Sequence, residues 1–145
     1  MSLKDMSRIP SKRLLNFGLL LMFVVQLTAC KGPTTQDLVG TWRVDYGKSK
    51  LTLTLRQDGT FEQVFETNSA TSAVRRTGRW QLTDLEGPSV ELKGALFVED
   101  QTGVIDPKLS AAENAGWVLH VNQTFGHLSL TVNQDLGLYF ERSPH

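Results

Sequence analysis

Three histidines, His120, His127 and His145, and one cysteine, Cys30, are the side chains best suited to chemistry in this 145-residue chain. No Gly-x-Ser-x-Gly elbow and no phosphate-cradling glycine loop accompanies them. Two-residue alternation places His120 and His127 on the outward face of one hairpin, diagonal to each other. Two imidazoles alone make a weak metal site, and no third strong ligand follows at a telling spacing. Glu62 and Glu66 flank Arg75 across another hairpin, which suits surface ion pairs better than an acid/base couple. No metal, cofactor or catalytic residue is therefore expected.

The polar residues of most interest are those that the alternation turns inward. Gln63 lies between Phe61 and Phe65. Arg76 shares its face with Val74, Gly78 and Trp80. A simple hairpin through 68–71 sets Gln63 opposite Arg76. Two readings stay open. In one, Gln63 and Arg76 orient the polar head of an amphipathic ligand between walls built from Phe61, Phe65 and Trp80. In the other, Arg76 sits at a rim and reaches water, because a buried charge without a partner costs several kcal/mol.

The elements that position these residues are short strands. Alternation runs through Trp42, Val44 and Tyr46; Leu51, Leu53 and Leu55; Phe61 and Phe65; Val74, Gly78, Trp80 and Leu82; and Val90 and Leu92. It resumes through Trp117, Leu119 and Val121; Leu128, Leu130 and Val132; and Leu138 and Phe140. The pattern predicts an all-β fold, an antiparallel eight-stranded meander barrel around one shared interior. A three-residue loop, Gln57-Asp58-Gly59, pairs Leu55 with Phe61 and Leu51 with Phe65, whereas a two-residue loop would set glutamates on the leucine face. A turn at Thr124-Phe125 is expected to pair Val121 with Leu128 and Leu119 with Leu130. Within a long connection, "IDPKLSAAENAGW" offers an N-cap at Asp106, Pro107 and a terminal Gly116, the signature of one short helix, with an irregular loop as the alternative.

Ahead of the strands the chain changes character. Lys4, Arg8, Lys12 and Arg13 precede the 14-residue, mostly apolar run Leu14–Leu27. That is the length of a secretory h-region, and a spanning helix needs about 20 residues. Leu27-Thr28-Ala29-Cys30 then resembles the lipobox of bacterial lipoproteins. The resemblance implies cleavage before Cys30, a diacylglyceryl group on its thiol and acylation of its amine. Lys31 in place of Asp implies, by likeness to sorting in Gram-negative envelopes, the outer membrane with the domain facing the periplasm. The expected divisions are a signal peptide over 1–29, a polar tether over 30–36 and the barrel over 37–145. Loss of 1–29 removes four of the 15 bases and one of the 15 acids, leaving 11 against 14. A mildly acidic domain excludes the basic footprint of a nucleic-acid binder.

"DLVGTWRV" resembles the Gly-x-Trp opening of the lipocalins and their calycin relatives. In that family the Trp closes one barrel end and an Arg of the last strand packs across its ring. The matching positions are Gly40, Trp42 and, in "LYFER", Arg142. The chain ends soon after Arg142, without the usual C-terminal helix, so it looks like a small lipocalin-like domain. The resemblance implies a non-catalytic envelope lipoprotein that binds a small hydrophobic or amphipathic ligand. The alternative is a filled barrel that works as an envelope-protein partner, for instance in assembly or inhibition.

Overall fold

The computed structural model describes residues 32–68, 73–84, 86–99, 102–106 and 116–144. The expected signal peptide, Cys30 and the helix expected after Asp106 lie outside the described residues. The elements are helix α1 (Thr35–Leu38) and strands β1 (Gly40–Asp45), β2 (Ser49–Leu55), β3 (Thr60–Thr67), β4 (Val74–Thr83) and β5 (Ser89–Lys93). They continue with β6 (Val98–Glu99), β7 (Val104–Ile105), β8 (Gly116–Thr124), β9 (His127–Asn133) and β10 (Leu138–Arg142). Eight of the strands form a closed antiparallel barrel in the order β1-β10-β9-β8-β5-β4-β3-β2. The fold is thus all-β, an eight-stranded meander closed by pairing of β1 with β10. Closure leaves no exposed sheet edge where pairing is complete. Strands β6 and β7 make a separate small hairpin within the β5–β8 connection. Among the described residues no helix is long and apolar enough to cross a membrane.

The alternation produces the interior directly. Trp42, Val44, Leu51, Leu53, Leu55, Phe61, Phe65, Trp80, Val90, Leu92, Leu119, Leu130 and Phe140 all belong to one buried cluster. Burying each such side chain is favourable by about 1.5–3 kcal/mol. The register of β2 and β3 sets Leu55 opposite Phe61 and Leu51 opposite Phe65. Gly59 takes φ +77° in the turn between them, a conformation open to glycine at little cost. Gly78 lies opposite Phe61, where an added Cβ would stand 2.7 Å from the Phe61 ring and 2.1 Å from the Lys93 carbonyl. The strand therefore needs glycine there so that the ring can lie against bare backbone.

Two expectations are corrected. Val121 pairs with Leu130 rather than Leu128, and the turn is Phe125-Gly126, with Thr124 opposite His127. Both turn residues have positive φ, +49° and +83°. The shift is by two residues, so the apolar face still points inward. Secondly, Val74, expected to face a closed interior, is 45% exposed. On its second side β4 pairs with β5 only over Arg79–Thr83, so its first half has one strand neighbour among the described residues.

Candidate functional site

The inward polar residue Gln63 is fully buried, and it meets backbone. Its side-chain Oε1 accepts from the Leu96 amide at 2.7 Å, and its Nε2 donates to the Leu96 carbonyl at 3.5 Å. One side-chain amide thus matches both polar groups of one peptide residue, as a neighbouring strand would. Around it Ala95, Leu96 and Val98 join the buried cluster. A second clamp comes from the neighbouring strand β2: the Ser49 hydroxyl, itself buried, donates to the Gly103 carbonyl at 2.6 Å. Gly103 has φ +61°, and a Cβ there would fall 2.7 Å from the Ser49 hydroxyl and 2.8 Å from the Tyr46 Cβ. Residues 94–99 and 102–106 are therefore held to the barrel by hydrogen bonds and close packing, not laid loosely over it.

The other residues expected around Gln63 divide. Phe61, Phe65 and Trp80 are buried within the common core. The Trp80 Nε1–H donates to the Arg56 carbonyl at 2.8 Å, which satisfies the indole. Arg76 does pair across the ladder with Gln63, yet its side chain is exposed. The cause is the singly flanked first half of β4, which leaves that inner face open where Val74 and Arg76 stand. Gln63, Phe61, Phe65 and Trp80 are thus brought together, and Arg76 is left outside the buried group.

Gly40, Trp42 and Arg142 converge at the end where β1 begins. Trp42 is fully buried and its Nε1–H donates to the Leu38 carbonyl at 2.9 Å. Arg142 lies over the indole, with Cζ 5.2 Å from the ring centroid. The same guanidinium donates to the carbonyls of Asp37 and Val39, each at 2.7 Å. A Cβ on Gly40, whose φ is +143°, would crowd that guanidinium at 3.4 Å. Helix α1 is fixed by a capping box, in which the Asp37 amide donates to the Thr34 hydroxyl oxygen and the Thr34 amide to the Asp37 carboxylate, which also accepts from the Thr34 hydroxyl. The two hydrogen bonds from Thr34 hold the Asp37 carboxyl below the usual carboxylate range.

On the outer wall a cleft of about 630 Å³ is lined by Thr83, Glu86, Ser89, Glu91, Val118 and His120. It contains a serine–histidine pair that the sequence did not single out: Ser89 Oγ lies 3.0 Å from His120 Nδ1. The same hydroxyl lies 3.1 Å from the Gly87 carbonyl, which can only accept. The Ser89 hydroxyl has both acceptors in reach, and the direction of its bond with His120 follows the imidazole tautomer. Strand pairing of Ser89 with His120 would have revealed the contact, but that pairing spans 31 residues. His127 is not beside His120, because Thr131 is its cross-strand neighbour. Among the described residues no three His, Cys, Asp or Glu side chains are grouped to hold a metal.

On the outside of β3, Glu62 bridges Arg56 at 2.9 Å and Arg75 at 3.1 Å. These are exposed pairs of small energetic weight. Comparison of the chain and its fold with known proteins finds no matching family model, no matching curated protein and no matching solved structure.

Proposed function

We propose that this chain is a lipid-anchored envelope protein, moored through Cys30, whose barrel is a non-catalytic interaction module acting through its outer wall. The anchor reading rests on the basic start, the apolar run and the Leu-Thr-Ala-Cys sequence. The module reading rests chiefly on one observation: the Gln63 amide is taken up by Leu96 of the same chain, so the polar group best placed to greet an inward ligand is already engaged. Buried Ala95, Leu96 and Val98 occupy space that a ligand within the barrel would need. The wall cleft offers acceptors, namely the Glu86 and Glu91 carboxylates, beside an exposed Val118. That set suits a basic side chain with an aliphatic stem on a partner protein.

Native mass spectrometry of the protein solubilised from its own membranes tests the reading. The expected result is an acylated chain carrying a second polypeptide, lost when Glu91→Lys reverses the charge of the cleft. A lone chain holding a lipid-sized mass would instead favour the small-ligand reading and overturn the filled-barrel one.

A further inference from the structure

Phe125 is the most exposed large apolar side chain described, wholly open to solvent at the tip of the β8–β9 hairpin. It also holds φ +49°, a region that non-glycine residues occupy at a cost and that Asn or Gly would fill with less strain. A residue that combines full exposure, a large apolar ring and an unfavourable backbone is poorly explained by folding alone.

Its position in the topology supplies a use. Strand pairing sets Trp42 of β1 opposite Arg142 of β10, and Glu141 opposite Ser129 of β9. The Phe125-Gly126 turn precedes His127 and so lies at the end of the barrel where β1 begins. The polypeptide enters at that same end, through Thr34 and α1, which Arg142 and Trp42 bind to the rim. Strand β9 stands two places from β1, or about 10 Å around the wall. Cys30 is four residues before Thr34, so its reach from the rim is at most about 14 Å. Acyl chains on Cys30 would therefore bring this end of the barrel to the bilayer.

The hairpin is also chemically suited to such contact. From Asn122 to Ser129 the sequence NQTFGHLS holds no Asp, Glu, Lys or Arg. The other two turns at this end, 57–59 and 84–88, each hold charge, Asp58 in one and Asp84 and Glu86 in the other. Entry of a charge-free tip into the headgroup region has no charge desolvation to overcome, and an aromatic ring gains by burial there.

We propose that Phe125 is a second membrane contact, seating the β8–β9 tip in the lipid interface and fixing the barrel's orientation on the bilayer. The inference rests on the lipid-anchor reading of Cys30. Its test uses the mature acylated chain in vesicles of phosphatidylethanolamine and phosphatidylglycerol. Acylation consumes the Cys30 thiol, so Thr124→Cys supplies one free thiol for an environment-sensitive fluorophore. Leu136→Cys, in the β9–β10 turn at the other end, supplies the control. With Phe125 present, the probe at 124 should brighten several-fold, shift to the blue and be quenched by nitroxide lipids, while the probe at 136 stays aqueous. Phe125→Gly should return the 124 probe to its aqueous signal with no fall in melting temperature, since glycine suits this φ. A chain that floats with vesicles while both probes report water overturns the membrane contact and leaves the anchor standing. A chain that fails to float overturns the anchor reading and the contact with it. Brightening at 124 that needs no vesicles and rises with protein concentration assigns the tip to a second copy, and also overturns the proposal.

Discussion

The two ends of the barrel are closed by different means. At the end where β1 begins, closure is made by residues near each other along β1 and its lead-in, Leu38, Gly40 and Trp42, with Arg142 added from the last strand. From the far end, closure is made by a chain segment between β5 and β8 that returns to Ser49, beside the β1–β2 turn, and inward to Gln63, 54 and 33 residues away along the chain. The first closure is dominated by a buried indole and the second by buried hydrogen bonds. An apolar plug tolerates small displacements of its partners, whereas a side-chain amide clasping one peptide has a narrow geometric range. The near end is therefore expected to hold while the far end opens first.

The largest effect is expected at the indole. Trp42→Ala should cost about 3–5 kcal/mol, the usual range for emptying a core site of this size, and should lower the melting temperature accordingly. Hydrogen exchange at Thr34–Val39 should accelerate with it, because Leu38 loses the indole donor to its carbonyl. Exchange there as slow as in the parent would show that α1 is held independently of Trp42.

A smaller, more local effect is expected at the opposite end. Gln63→Leu preserves apolar bulk but leaves the Leu96 amide and carbonyl buried without the partner they have now, for a cost of about 1–3 kcal/mol. Exchange should rise across 94–99 and 102–106 and stay unchanged at Thr34–Val39. Equal acceleration at both ends would erase the distinction, since the barrel would then be opening as one unit.

The smallest effect is expected from acid. The folded-state pKa of Asp37 is depressed by the two Thr34 hydrogen bonds, so the carboxylate contributes stability that is present above the ordinary carboxylate pKa. That contribution is lost as the pH falls through the lowered value. Protection at α1, taken relative to the intrinsic exchange rate at each pH, should therefore fall below about pH 4, and Asp37→Asn should remove this pH response while leaving residues 94–99 and 102–106 as they were. A pH response in the variant equal to that of the parent would place the acid sensitivity elsewhere. The Asp58 carboxyl, lowered by Thr60, titrates in the same direction but belongs to the β2–β3 turn.

Two hairpins show how far local pattern reaches. Between β2 and β3 the competing loop would have slipped by one residue and turned glutamates inward, so burial alone selected Leu55 against Phe61. Between β8 and β9 the competing pairings differ by two residues. Both keep Val121, Leu128 and Leu130 on one face, and the apolar pattern cannot separate them. The decision fell to the backbone of Phe125 and Gly126, whose positive φ values close a two-residue turn. Gln63 repeats the lesson at the candidate site. Its inward direction followed from its place between Phe61 and Phe65. Its partner did not, because the segment that contains Leu96 carries no long alternation. Arg76 failed for a related reason: alternation says which face a side chain takes, not whether another strand covers that face.

By itself, then, the amino-acid order determined which residues line the wall, how many strands make it, and that Gly59 turns β2 into β3. These are consequences of a two-residue period and of one glycine's freedom, both of which act between near neighbours. Tertiary structure alone decided that Leu96 and Gly103 return into the barrel, that His120 meets Ser89, and that Phe125 shares an end with the incoming chain. Such contacts join segments tens of residues apart, and no local period records them. They form only when closure of the barrel brings the strands that carry them into register.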